Sequence, residues 1–501
     1  MVNSLKKSDV LRSYNRIKGI AEKKFANQEY EECLKLIELL GNIAYNFNFF
    51  YKDDVLEELL LKISSKILNH SPKTWDPNNR WVFYDYFGIS NRGLTQQYIR
   101  ALIAWKVEFM YILENPSANS VSILEELKAY SKAETYIVDR NLTYSEKIKQ
   151  IYNQIVRYKP QNAFLHLHPA NVVAVTLWNA LSNIKRYQIN LTDHAFWLGV
   201  NCLDYCLEFR DYGCNVSAEK RGVALDKLRM QPFYPIVDCG PFEGLPEIAN
   251  DRVVLFTGAT YYKMYGENNA FFIIIKRLLD ENENCIIFLA GDGDKAPFEK
   301  FISENGYSNR LFLLGNRSDI NHVFRKCDIF LTTYPITGGL MAQFAAVNSK
   351  PILSFSSADI PCNSVESLLT FDRTNQDDKI TYDNLEDFLA LAKKMINDKN
   401  FRNNKGASLK KHVITVPKFE ALLYANIHSI NQPLKYQKLN IDYERFQNLY
   451  IEVENKFLPT YRALILSHFR LSSIFLFPKE ILSCHIVRFL IKAARRKIQK
   501  R

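Results

Sequence analysis

A threonine pair, a proline loop and two glycines stand together in DIFLTTYPITGGLMAQFAAVNSKPIL, residues 328–353. An apolar run ends at Thr332 and Thr333, and a helical pattern begins directly after Gly338 and Gly339. Paired glycines let backbone N–H groups come close to a phosphate, and a helix N-terminus adds partial positive charge. The same residues also suit a tight strand-to-helix turn. Three more loops of similar character lie in this half of the chain. FTGATYYKMYGEN carries Gly258 and Lys263, a lysine placed to reach a diphosphate from the opposite side, or else simply a solvated lysine at a helix start. NCIIFLAGDGD carries Gly291 and Asp292, and RLFLLGNRSDI carries Asn316 and Arg317.

A different kind of group stands in the first half. His194 follows RYQINLTD and precedes AFWLG, with Asp193 beside it. A histidine next to a carboxylate is suited to take a proton from a hydroxyl. A purely structural, hydrogen-bonded histidine is the competing reading. His166 and His168 in FLHLHPAN share one face of a strand. Two histidines without a third ligand do not make a zinc site, so they read as a polar strand end.

These residues need elements to position them. Residues 1–75 alternate apolar and charged positions at helical spacing, as a small tetratricopeptide-like helical domain would. Residues 80–235 alternate strand and helix patterns, from WVFYDYF to YCLEFR. Four prolines and two glycines between 229 and 250 read as a linker. A second strand–helix series fills 250–375, and 376–501 reads as a helical tail ending in a basic amphipathic helix. Such alternation predicts two parallel sheets covered by helices. Ligands then bind beyond the carboxyl ends of the strands, in a cleft between the two domains.

With these motifs in view, the second half resembles the donor-binding domain of GT-B glycosyltransferases, most nearly the O-linked N-acetylglucosaminyltransferase-like group and its bacterial relatives. LTTYPITGG resembles their strand–LDT-x-P-x-x-G-G helix start, and INLTDHAFWLGVNCLDYCLEFRDYG resembles a pattern of their acceptor side. The resemblance spans about residues 80–355. It implies an α/β chain of GT-B type, with two Rossmann-like domains facing a cleft. It implies that Thr333, Thr337, Gly338, Gly339 and Lys263 hold the diphosphate of a UDP-sugar, with the base near Asn316 and Arg317. It places acceptor contacts near Asn91, Arg92 and Gly93, where the family's early histidine is absent. The family's ribose-binding carboxylate is also absent, and Gln343 stands in that helix.

Asp292-x-Asp294 would suit a divalent metal in single-domain transferases, but FLAGDGD fits a GT-B donor strand and no His or carboxylate cluster accompanies it. The expectation is therefore a metal-independent hexosyl- or N-acetylhexosaminyltransferase with no cofactor. Its acceptor would be a saccharide or lipid-linked glycan, as in bacterial surface polysaccharide synthesis. A nucleotide-sugar epimerase of similar shape and a non-catalytic helical scaffold are the rival expectations.

Composition is compatible with this. The 501 residues are 47% hydrophobic and 24% charged, as in folded domains, and the length predicts two to four of them. Nine scattered cysteines without a CxxC pair read as small buried hydrophobes in a reducing compartment. The N-terminus lacks a signal-peptide pattern, and no apolar run reaches the ~20 residues of a membrane span. The net charge is +11, and His485–Arg501 carries seven Lys/Arg and no acid. A cytoplasmic protein with peripheral attachment to an anionic membrane face is expected, without nucleic-acid binding.

Overall fold

The computed structural model describes residues 7–68, 75, 78–89, 95–237, 240–357, 360, 363–369, 379–428, 434–453 and 457–482. Seven strands form the first sheet: β1 (Arg80–Asp85), β2 (Glu108–Leu113), β3 (Ala133–Ile137), β4 (Asn162–His166), β5 (Lys185–Ile189), β6 (Tyr205–Glu208) and β7 (Leu228–Met230). Its order is β3-β2-β1-β4-β5-β6-β7, parallel throughout. The second sheet holds β8 (Val253–Gly258), β9 (Cys285–Ala290), β10 (Leu311–Gly315), β11 (Ile329–Leu331), β12 (Ile352–Phe355) and β13 (Thr381–Tyr382), in the order β10-β9-β8-β11-β12-β13. It too is parallel.

Parallel strands joined by helices must be covered on both faces, and the side chains sort accordingly. In β1 and β4, Val82, Tyr84, Ala163 and Leu165 pack on one side, and Trp81, Phe83 and Phe164 on the other. In β8 and β9, Leu255, Ile287 and Leu289 face one layer of helices, and Val254, Phe256, Ile286 and Phe288 the opposite layer.

The N-terminal helices Lys7–Ala26, Tyr30–Phe47 and Asp54–Ile67 share a core with the first sheet. Leu34, Ile37, Leu40, Leu56, Leu60 and Ile63 are fully buried in it. At about 1.5–3 kcal/mol for each such side chain, these helices are an integral layer of the molecule and not a tethered module.

The segment after 375 does not stand apart either. Strand β13 extends the second sheet, and the helix Leu385–Asn397 packs on it through Phe388, Ala392 and Met395. The helix Val416–His428 returns to the first sheet, where Phe419, Leu423 and Ile427 join Trp81 and Tyr187. Tyr461, Ile465, Phe477 and Ile481 end in the N-terminal core. Strand β7 occupies the start of what the proline pattern reads as linker. The basic helix expected over His485–Arg501 lies outside the described residues.

Candidate functional site

Each sheet reverses its direction of growth once, at β1/β4 and at β8/β11. Loops leaving neighbouring strands at such a point part to opposite faces and leave a crevice. In the second sheet the crevice is bounded by the loop after β8, with Lys263 in its short 3-10 turn Tyr261–Met264, and by the loop after β11. The two loops are joined, Ile336 N donating to Lys263 O at 3.2 Å.

The glycine-rich loop ends in the helix Gly339–Val347. Gly338 is its N-cap and no side chain caps it, so its first N–H groups are left for a ligand. A methyl group added at Gly338 would meet nothing nearer than 3.7 Å, so a side chain there is sterically tolerated. Gly291 is glycine for another reason. Its φ is +158°, and a Cβ there would lie 2.0 Å from Ala259 O.

A cavity of about 480 Å³ lies between the two halves. Lys263, Thr337, Gly338 and Gly339 line it from the second sheet, and Asp193 and His194 from the first. A second cavity of about 610 Å³ adjoins it through shared Ala259, Thr260, Leu340 and Met341. Gly258, Gly291, Asp292, Asn316 and Arg317 line this second cavity. Eleven of the residues singled out by sequence thus meet in two adjoining spaces.

Asp193 is buried, 1% exposed, while His194 is one-third exposed. His194 Nδ1 stands 3.5 Å from Asp193 Oδ1. The stronger partner of Asp193 is Arg210, whose Nε and Nη2 donate to the carboxylate at 2.5 and 3.0 Å. Burial opposes ionisation of Asp193. Arg210 and the His194 ring outweigh it and hold the carboxyl well below its usual range. Asp193 is thereby held in its ionised form, and His194, the more exposed of the two, stands beside it at the cavity.

Several expected contacts are made differently. Thr333 is 1% exposed and lines neither cavity, because its hydroxyl donates to Ile336 O at 2.7 Å and shapes the loop. Arg317 reaches the second cavity, but its guanidinium is bound by both Asp319 oxygens at 2.8 and 2.7 Å. Gln343 Nε2 donates to Phe233 O and Leu368 O, so this amide straps the helix to the interdomain segment instead of facing a ligand. Asn91, Arg92 and Gly93 lie outside the described residues.

His166 is buried against Asp85, 3.0 Å from Nδ1 to Oδ1, and His168 sits among Tyr45, Tyr86 and Phe87. Burial pushes His168 down to about 4. Among the described residues, no group of three or more His, Cys, Asp and Glu side chains could hold a metal ion.

Sequence reasoning missed the apolar wall of the first cavity. Tyr45 comes from the N-terminal helices, Phe209, Phe233 and Tyr234 from the end of the first half, and Phe446 from the helix Tyr443–Val453. The aromatic content of the chain, 13%, suits large cores and sugar-stacking surfaces equally and did not mark this wall.

No family model and no curated protein matches this sequence. Solved structures do. HepE from Anabaena, in complex with UDP and glucose, superposes with a TM-score of 0.53 at 12% identity, over 70% of this chain and all of its own. A mutant of TarM from S. aureus, in complex with Fondaparinux, alpha-GlcNAc-glycerol and UDP, gives a TM-score of 0.51 at 9% identity, over 71% of this chain and all of its own. The chain has the GT-B fold. An O-GlcNAc transferase mutant from Thermobaculum terrenum aligns over 89% of this chain and 85% of its own at 15% identity, with a TM-score of 0.47. In GT-B terms, the first cavity is the interdomain cleft. The adjoining one lies on the side of β9 and β10.

Proposed function

We propose that this chain is a glycosyltransferase that moves a hexosyl or N-acetylhexosaminyl group from a nucleotide diphosphate sugar, a UDP-sugar by preference, to a hydroxyl of a saccharide or lipid-linked glycan. One observation carries the reading. A lysine and an uncapped helix N-terminus face a histidine–carboxylate pair across one interdomain cavity. HepE in complex with UDP-glucose and TarM in complex with UDP support the donor class.

In this reading the diphosphate lies on the N–H groups of Gly338 and Gly339, with Thr337 beside it and Lys263 opposite. The nucleoside extends into the second cavity, past Gly258 and Gly291 toward Asp292, Asn316 and Arg317. As the bond from the sugar to the diphosphate breaks, the charge left on the leaving group meets fixed dipoles and one cation, without a metal. His194 takes the proton of the acceptor hydroxyl as its oxygen bonds to the sugar. Asp193 holds the imidazole, and the aromatic wall receives the acceptor ring.

An epimerase would need acid and base groups around the donor sugar. The first cavity offers His194 and an Asp193 already bound to Arg210, which favours transfer. Release of nucleotide from a panel of UDP-hexoses and UDP-N-acetylhexosamines, with and without saccharide acceptors, tests the reading. Acceptor-dependent UDP release is expected; interconversion of the donor sugar with no transfer would support the epimerase instead.

The acceptor is proposed to be presented at an anionic lipid surface on the cytoplasmic side, in synthesis of a bacterial surface glycan. Leu471 and Phe475 are 80% and 83% exposed, with Ile474 beside them. Residues 457–501 carry ten Lys/Arg against one acid, Glu480, which is buried and bonded to Ser13. No helix among the described residues is long and apolar enough to cross a membrane.

A further inference from the structure

His194 sits on a loop whose backbone carbonyls are gathered by two buried side chains. Arg221 is 1% exposed, and its Nη2 donates to Thr192 O at 3.1 Å, Asp193 O at 3.0 Å and Ala195 O at 2.6 Å. The carbonyl left out of that set, His194 O, accepts from Asn48 Nδ2 at 2.9 Å. Four consecutive carbonyls are thereby fixed from two sides.

The two clamps differ in origin. Arg221 belongs to the first α/β half and stacks over Trp197, with its guanidinium 5.2 Å from the ring. Asn48 closes the N-terminal helix Tyr30–Phe47, in the left-handed region at φ 45° and ψ 46°. It is fully buried, and its Oδ1 has no hydrogen-bond partner. An orphaned buried acceptor costs about 1–3 kcal/mol, which offsets what the bond from Nδ2 to His194 O contributes to stability. A glycine would make the same turn with less strain. What the amide supplies is its hold on His194.

A second contact from the same helices supports this one. Glu57, on the helix Asp54–Ile67, accepts from Gly199 N at 2.7 Å and Asn201 N at 3.4 Å, at the far end of the same loop. Phe50 packs edge-on against Phe196 between these anchors, 5.8 Å from centroid to centroid.

We propose that the N-terminal helices form part of the active site, with Asn48 and Arg221 as positioning residues that set the reach of His194 into the cleft. This rests on the assignment of His194 as the base. An error of about 1 Å in placing a reacting group costs on the order of 100-fold in rate.

The test compares full-length wild type with Asn48→Gly, which keeps the left-handed turn and removes only the amide, and with Arg221→Lys, which keeps the charge but not the fork. The Cε1–H resonance of His194 is read in protein labelled with ¹³C-histidine, assigned by its loss in His194→Ala. UDP affinity is measured in parallel by calorimetry. The expected result for Asn48→Gly is a displaced or broadened His194 resonance, unchanged UDP affinity and a thermal midpoint close to wild type. A His194 resonance identical to wild type in Asn48→Gly overturns the proposal, even where Arg221→Lys fails to fold. Absence of UDP binding in wild type would instead count against the donor site, leaving the resonance comparison to decide the clamp.

Discussion

The two loops that face each other across the cleft are built in opposite ways. The His194 loop is held by buried side chains: Arg210 on the Asp193 carboxylate, Arg221 and Asn48 on its carbonyls, Glu57 on its far N–H groups. The glycine-rich loop is anchored behind by Asn363, which accepts from Thr337 N and donates to Pro335 O, while the helix beyond it begins uncapped. A group that moves a proton must be fixed in place. A cradle for an anion must instead keep backbone donors uncommitted. Rigidity on one side and unfilled hydrogen-bonding capacity on the other is what the proposed sugar transfer asks of the two halves.

The sharpest way to break this contrast is to remove the fixed group. His194→Ala should lower acceptor-dependent turnover by roughly 10²- to 10⁴-fold, the usual range for a lost general base, while leaving UDP affinity within about twofold. Equal loss of both in steady-state and binding measurements would mean that the two loops are not functionally distinct. Next in size is Arg210→Gln. Leaving Asp193 buried without its cation should cost about 3–5 kcal/mol in unfolding free energy by denaturant titration. A cost below about 1 kcal/mol would show that the His194 loop is not held through this pair.

The glycines sharpen the comparison from the other side. Gly291→Ala should destabilise by about 3 kcal/mol or more, since its Cβ would lie 2.0 Å from Ala259 O. Gly338→Ala should cost less than about 1 kcal/mol, because the methyl would make only ordinary contacts, none nearer than 3.7 Å. It should nevertheless weaken UDP binding by calorimetry. Equal destabilisation of the two variants would contradict the open cradle.

The smallest effect concerns pH. Burial raises Glu57 to about 6 against the N–H groups that hold it. Between the ordinary 4.5 of a glutamate and about 6 the folded protein binds the extra proton, so Glu57 contributes most stability below that window and loses it as pH rises through it. Relative to Glu57→Gln, the wild type should lose about 2 kcal/mol of unfolding free energy between pH 4.5 and 7. A flat difference across that range would show that burial does not hold Glu57 above its ordinary range.

The legible part of the molecule was the part that local sequence controls. Apolar runs ending in glycine marked β8, β9 and β10, and the Thr337-Gly338-Gly339 helix start is contiguous in the chain. His194 stood out through its neighbours. The clamp on it did not, because Asn48 lies 146 residues away and Glu57 lies 142 residues from its partner Gly199. Nothing in the pattern around Arg221 distinguishes it from a surface arginine. Thr333 read as a ligand because its motif does not show that its hydroxyl turns back to Ile336 O. The two-residue strand β13 is too short to leave a period.

Lys263 and the uncapped helix are proposed to form a donor cradle independent of the His194 loop. Calorimetric titration of UDP, with GDP, ADP and CMP as competitors, into wild type and Lys263→Ala, each without and with Mg²⁺, tests it most directly. Saturable UDP binding without metal is expected, weakened roughly 10- to 100-fold in Lys263→Ala by loss of a charge-assisted contact. No nucleotide binding, or UDP affinity unchanged in Lys263→Ala, would contradict it.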